Sequence, residues 1–280
     1  MPVSTTWRAE LDRKEIEQRI GKIIDYIFAG DIFQANFTQR FRATRPKGLS
    51  DFAIYRRLRE LSPAPFAAFL RCGKGLSVIS ASPERFLRLT PDGMIAAHPI
   101  KGTRPRDPDM QRDKELAEAL CHSAKDRAEN LMIVDLMRND LSRVSVPGSV
   151  RAPQLCALES FASVHHLVSR VEGHMRPECG PVDLLRAAFP GGSVTGAPKI
   201  RAMEIIHEYE PAARGVYCGG IGWIGFDKSM DMSMAIRTLT CAGDAILAQA
   251  GGGIVADSDP SSEYEESMVK MAPLLRAVGE

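Results

Sequence analysis

The sequence predicts an α+β fold. Short alternating runs typical of strands follow one another directly, and helical stretches come in groups between them. No strand–GxGxxG–helix unit occurs, so a parallel nucleotide-binding sheet is not indicated. With 280 residues and 44% hydrophobic content, the chain can bury a sizeable core.

Taken in order, Ile16, Ile20, Ile23, Ile24 and Ile27 recur at helical spacing over 12–30, and Gly30 ends the run. Residues 31–41 alternate as a strand does. A helix is predicted over 51–61, then strands near 66–71, 76–82, 85–89 and 94–100, divided by glycine and Pro-Asp-Gly turns. From Pro108 to about Arg143 the pattern is helical, as two helices meeting near His122-Ser123. Strands or loops fill Val144 to about Glu172, with a helix at 181–188 and another from Pro198 to Tyr209, Pro198 at its first position. Two or three strands cover 216–255, with Arg237 inside the strand Met234–Leu239, and a helix closes the chain from about Ser261. No short repeat, low-complexity tract or long linker interrupts this order.

Composition excludes several roles. The 36 basic and 35 acidic residues are mixed along the chain, which argues against a nucleic-acid or anionic-membrane footprint. No apolar run approaches a membrane span, and the start lacks a signal-peptide pattern. The six cysteines form no CxxC pair and read as buried hydrophobes or incidental thiols of a reducing cytoplasm.

Several places carry chemistry-bearing residues, each with a plain structural alternative. Ser123 and Asp126 have capping spacing, and Glu129 follows on a face that continues through Ile133 and Leu136. A carboxylate there needs a cation or a metal, unless it is a rim residue paired with Lys125 or Arg127. Asp257, Asp259, Glu263, Glu265 and Glu266 crowd the start of the last helix after three glycines. Complementing the helix dipole explains one or two of them, and Glu263 and Glu266 share a face. Mg²⁺ takes one or two carboxylates, yet a solvated acidic surface fits the cluster as well. Gly191–Lys199 can aim backbone N–H groups at an anion or serve as a tight turn into a helix.

Lys101 ends a predicted strand, and a lysine drawn into a dry pocket becomes a nucleophile; most lysines are simply solvated. Arg237 can hold a carboxylate bidentately or stand exposed on its strand. Tyr217 precedes a glycine pair. The pair His165-His166 lacks further ligands at metal spacing and reads as structural.

Nine stretches in order, from about Glu15 to the C-terminus, resemble the chorismate-binding enzymes. They are DIFQANFTQRF, SASPERF, PIKGTRPR, DRAENLMIVDLMRNDLSRV, VHHLVSRV, GGSVTGAPKIRAMEII, RGVYCGGIGWIG, AIRTL and GGGIVADSDPSSEYEES. The resemblance implies a four-layer α/β/β/α arrangement with two orthogonally packed antiparallel sheets. It implies one catalytic domain over 1–280, with residues 1–14 a disordered or truncated remnant. Glu129 and Glu266 match the Mg²⁺-holding positions, with Glu263 and Asp126 close by. Tyr217, Arg237 and the Gly253 backbone match the binding place of the enolpyruvyl carboxylate. Ser193, Thr195 and Gly196 match the substrate-site lining, and His166 an active-site histidine.

Two positions separate the branches that the resemblance brings in. Isochorismate- and salicylate-forming members carry a water-activating lysine where this chain has Gln34, and an amide cannot take that proton. Anthranilate synthases usually have alanine at Lys101, whereas aminodeoxychorismate synthase large subunits have lysine. The implied reaction is amination of chorismate through a covalent Lys101 intermediate, with Glu84 as the acid, feeding 4-aminobenzoate and folate synthesis. Ammonia would come from a glutamine amidotransferase partner. Anthranilate synthesis is the rival activity, and a non-catalytic family member the rival class.

Overall fold

In the computed structural model, residues 5–161 and 164–279 are described, and they divide into two compact units. The chain-order elements are β1 (Arg8–Ala9), α1 (Arg13–Phe28), β2 (Gln34–Thr44), α2 (Asp51–Leu61), β3 (Phe66–Arg71) and β4 (Leu76–Ser82). Next come β5 (Arg85–Leu89), β6 (Met94–Ala97), β7 (Ile100–Pro105), α3 (Met110–His122), α4 (Ala124–Ser142), β8 (Arg151–Ser160), β9 (Val164–His174) and α5 (Pro181–Ala188). The chain ends with β10 (Gly196–Ala197), α6 (Lys199–Tyr209), β11 (Gly220–Ile224), β12 (Met230–Met234), β13 (Thr238–Ala242), β14 (Ala245–Ile254) and α7 (Pro260–Val278).

The first unit comprises Met1–Pro83, Val194–Ile221 and Met234–Glu280. Its seven-stranded sheet runs β1-β2-β14-β13-β4-β3, with β10 also on β2. Alternation along β2 divides its side chains between two faces. Ala35, Phe37, Phe41 and Ala43 are buried among apolar residues, while Gln34, Asn36 and Thr38 put buried polar groups on the opposite face. One apolar cluster joins Phe41, Ile79, Leu239 and Ile246 to Ile54 and Leu58 of α2 and to Met271 and Leu274 of α7. Another joins Phe37 and Ile254 to Ile16, Ile20 and Ile23 of α1 and to Ile205 and Ile206 of α6. Burying one such side chain is worth about 2 kcal/mol, so these stripes fix the helices on the sheet. Asp12 and Glu15 close a capping box that starts α1. Within residues 1–14, Arg8–Ala9 pair with Phe41–Arg42 and Leu11 is buried; residues 1–4 lie outside the described part.

The second unit comprises Glu84–Ser193 and Gly222–Ser233. Its seven-stranded sheet runs β11-β12-β5-β6-β9-β7, with β8 also on β9. The long β9 is the spine. β6 pairs with Val171–His174 and β7 with Val164–Val168, both antiparallel. The predicted strand 94–100 is therefore two strands. Pro99 interrupts it, having no N–H to give a ladder, and its carbonyl accepts from Ser169 N–H at 3.1 Å. Lys101 consequently stands near the start of a new strand and not at the end of an old one.

Three further expectations are corrected. Pro198 is the N-cap of α6 and not its first helical residue; with ψ at 140° it has extended backbone. The stretch 216–255 holds four strands. Arg237 lies in none of them: it falls between β12 and β13 with φ at +51°, a left-handed turn that alternation cannot reveal. The helix pair meeting at Ser123 stands as expected, Ser123 Oγ accepting from Asp126 N–H at 3.2 Å. Among the described residues, no helix is long and apolar enough to cross a membrane.

Candidate active site

The second unit gathers proton-carrying groups around one amine. Gly102, with φ at +81°, lies within a register shift, since Lys101 faces Leu167 while Thr103 faces His166. A Cβ on Gly102 would come within 2.9 Å of Leu120 and 3.0 Å of Asp126, so only glycine lets β7 run this close to α3 and α4. The irregularity sets the direction of Lys101. Its Nζ lies 3.7 Å from Glu129 Oε2, and both side chains are largely buried.

Glu129 is held by its neighbour. Asn130 is fully buried, donates from Nδ2 to Leu167 O at 3.2 Å, and accepts a short hydrogen bond from Ser169 Oγ. Ser169 Oγ in turn accepts from Cys156 N–H at 2.8 Å. This polar tether ties α4 to β8 and β9 one residue from the carboxylate. Asp126, expected near a metal, pairs with Arg104 at 3.0 Å.

Glu84 is 6% exposed and accepts from Ser193 Oγ at 2.8 Å. Burial pushes its carboxyl up to about 7, against the opposing pull of the Ser193 hydrogen bond, the Lys101 charge and the Ile100 backbone. A carboxyl poised there can give a proton near neutrality. His166 is buried, with Nδ1 2.8 Å from Thr103 Oγ1 and its ring edge-on to Phe161. His165 differs from its neighbour: it bridges Ser160 Oγ at 2.7 Å and Asp113 at 2.9 Å, a structural network that also binds Arg106.

The first unit gathers groups suited to anions. Tyr217 and Thr195 are buried, and burial raises the phenol of Tyr217 well above its ordinary range, so it stays a hydrogen-bond donor. Burial lowers the pKa of Arg237, opposed by Tyr217 and Glu266. Its guanidinium makes no hydrogen bond or ion pair among the described residues. A charge held this way invites an anion. Gly196, with φ at +146°, pairs with Ala35; a Cβ there would fall 2.1 Å from Gln34 O. Gly253 lies opposite Asn36 in the β2–β14 ladder. The carboxamide of Gln34 is fully buried, and neither its Nε2 nor its Oε1 has a partner.

At the start of α7, Glu263 is buried and accepts from Ser258 Oγ at 2.7 Å. Glu266 Oε1 lies 2.6 Å from Lys270 Nζ, which also donates to Gly251 O at 2.9 Å. Both carboxylates face bare backbone: a Cβ on Gly252 would lie 3.1 Å from Glu263 Oε2 and 3.8 Å from Glu266 Oε1. Asp259 caps α7, which accounts for one acid of the cluster, and Glu265 pairs with Arg13 on the surface. Among the described residues, no group of three His, Cys, Asp or Glu side chains forms a metal cage.

Thr103, Asn130 and Lys270 support these side chains and were not legible as site residues. Only the spacing of Glu266 and Lys270, four apart on one helix, offered a signal.

Comparison with known proteins shows which family the chain resembles. The family profile described as chorismate binding enzyme matches residues 2–276. Aminodeoxychorismate synthase component 1 of Escherichia coli (strain K12) is 47% identical over 98% of this chain and 60% of its own length. Anthranilate synthase component 1 of Aquifex aeolicus is 45% identical over 99% of this chain and 55% of its own. The crystal structure of anthranilate synthase component I from Streptococcus pneumoniae superposes with a TM-score of 0.88 at 36% identity, covering 99% of this chain and 61% of that one. The chain thus spans about 60% of the length of the aminodeoxychorismate synthase relative.

Proposed function

Since this chain belongs to the chorismate binding enzyme family, we propose that it replaces the C4 hydroxyl of chorismate with ammonia, giving 4-amino-4-deoxychorismate. The observation that carries the reading is the amine of Lys101 beside Glu129, with a buried carboxyl, Glu84, poised at about 7. The Lys101 amine, having passed a proton to Glu129 beside it, attacks C2 of chorismate. Both ring double bonds shift, C1=C2 to C1=C6 and C5=C6 to C4=C5, and the C4 hydroxyl leaves as water with the proton of Glu84. Ammonia then adds at C4, both double bonds return, and the Lys101 amine departs from C2. Glu84 recovers a proton from the incoming ammonia. Covalent capture splits one hard substitution into two easier ones.

His166, steadied by Thr103, belongs to the same half of the chemistry. Ser193 holds Glu84 and, with Thr195 and Gly196, lines the substrate. We assign the enolpyruvyl carboxylate to Arg237, Tyr217 and the Gly253 N–H. Arg237 supports this because its guanidinium makes no ion pair among the described residues.

Glu263 and Glu266 of the first unit suit Mg²⁺, a hard cation that takes few protein oxygens and completes its shell with water and substrate, and Glu129 of the second unit is a carboxylate of the same kind. Bound there, the cation would supply fixed positive charge for the ring carboxylate. Glu263 and Glu266 already face the uncovered backbone of Gly252, which fits such a donor set. Ammonia would come from a glutamine amidotransferase partner, in keeping with the name component 1 borne by the Escherichia coli relative. The cytoplasm is the place of action we assign.

Incubation with chorismate, Mg²⁺ and ammonium salt, with products identified by mass before and after addition of a lyase, tests the reading. The expected product is 4-amino-4-deoxychorismate, which keeps the enolpyruvyl group. Fluorescent anthranilate with release of pyruvate would assign the chain to the other branch.

A further inference from the structure

The anion-binding groups of the first unit are tied to an ion pair that the proposed reaction does not touch. Glu210 caps the C-terminal end of α6, and its extended backbone followed by Pro211 ends the helix. Arg214 is therefore not its helical neighbour but returns to it from a loop. Arg214 donates from Nε to Glu210 Oε2 at 2.8 Å and from Nη2 to Oε1 at 2.6 Å. The side chains are only 13% and 6% exposed.

What remains of both groups is spent on backbone that carries site residues. Arg214 Nη1 donates to Val194 O at 2.6 Å, the residue before Thr195, and Nη2 to Asn36 O at 2.5 Å. Asn36 N–H donates to Thr195 O at 2.7 Å, and Asn36 lies opposite Gly253. Glu210 Oε1 accepts from Thr38 N–H at 3.0 Å and from Thr38 Oγ1 at 2.8 Å, and Thr38 lies opposite Gly251. The Arg214 charge also acts on Tyr217 and Cys218, opposing the burial that raises both of their pKa values. Gln249 fixes the loop by donating to Arg214 O at 2.9 Å.

Nε, Nη1 and Nη2 of Arg214 are all engaged, as are both Glu210 oxygens, so neither group is arranged to receive substrate. A guanidinium fork can serve a carboxylate and two carbonyls together; an ammonium at that distance cannot reproduce the geometry. We propose that Arg214 and Glu210 act as a positioning pair, setting the spacing of Thr195, Tyr217 and the Gly253 N–H to which the substrate's carboxylate binds. This inference rests on the functional reading above.

The test compares the wild-type chain with Arg214→Lys and Glu210→Gln in chorismate turnover, thermal unfolding and amide exchange. Expected is a rise in KM for chorismate of about ten-fold or more in Arg214→Lys, with kcat within about three-fold, and a smaller rise in Glu210→Gln. Exchange should quicken at Asn36 and Thr38, with Ile79 and Leu239 unchanged. A purely structural role would lower the active fraction, and so kcat, at constant KM; that result overturns the proposal. Loss of cooperative unfolding in both variants overturns it too, because the pair would then hold the fold and not the site. If the wild-type chain neither binds nor consumes chorismate, the functional reading fails and takes this inference with it. Faster exchange with an unchanged KM refutes the inference alone.

Discussion

In the second unit a buried carboxyl is kept close to its proton, while in the first a partly buried guanidinium is kept without a hydrogen-bonded carboxylate. The cause is the same in both, since withdrawal from water disfavours charge on Glu84 and on Arg237 alike. The outcomes differ because the groups titrate at opposite ends of the scale. Glu84 crosses into a useful range near neutrality, whereas an arginine remains a cation seeking an anion. Desolvation thus keeps a proton on a carboxyl in one unit and works against the charge of a guanidinium in the other. Arg214 of the same unit is surrounded differently, by Glu210 and two carbonyls.

The comparison can be broken by removing each kind of group. Lys101→Ala should abolish amination and the mass adduct on the enzyme while leaving chorismate binding measurable by equilibrium dialysis. Full turnover in this variant would show that ammonia adds without covalent capture.

Glu84→Gln should lower kcat by about 10²–10⁴-fold, the range of a positioned acid. In the wild type, activity should fall as pH rises through about 7, where Glu84 loses its proton, and the variant should lack that limb. Stability should report the same group. A carboxyl whose folded pKa is raised binds more protons folded than unfolded, so the stability it lends is whole below about 4.5 and is lost progressively as pH rises to about 7. Glu84→Gln should therefore gain on the wild type between pH 5 and 8, by a difference on the order of 3 kcal/mol, followed in urea titrations.

Arg237→Gln should raise KM for chorismate by roughly 30-fold or more with a smaller change in kcat, given the cost of removing one partner of a buried charge pair. An unchanged KM would move the enolpyruvyl carboxylate elsewhere. The smallest effect is expected for Thr103→Val, which removes one hydrogen bond to His166. A loss of about five-fold in kcat, near 1 kcal/mol, is the expected reading of steady-state kinetics.

Much of this was legible before any coordinates. The helices over 51–61 and 181–188 and the strands over 66–71, 76–82 and 85–89 follow from periodicity and turn residues. Glu129 was flagged as a carboxylate on an apolar face, and its closeness to Lys101 agrees with that flag. What stayed hidden depends on backbone breaks and on burial. Pro99 dividing β6 from β7, and the left-handed turn at Arg237, leave the apolar pattern intact and so give no signal. Glu210 and Arg214, four apart, resemble an ordinary exposed helical pair until the end of α6 separates them. That the candidate residues fall in two units, each assembled from separate stretches of chain, is likewise invisible to local pattern.

Gly102 carries a consequence for how such chemistry diverges. The kink beside Lys101 belongs to the main chain and to the absence of a side chain at Gly102, not to the amine itself. A single codon change at position 101 would therefore remove the amine and leave the main-chain kink, the cap at Ser123 and the buried carboxyl of Glu84 standing. Interchange between covalent and direct amination would then be a matter of fitting or unfitting one part on a frame already made.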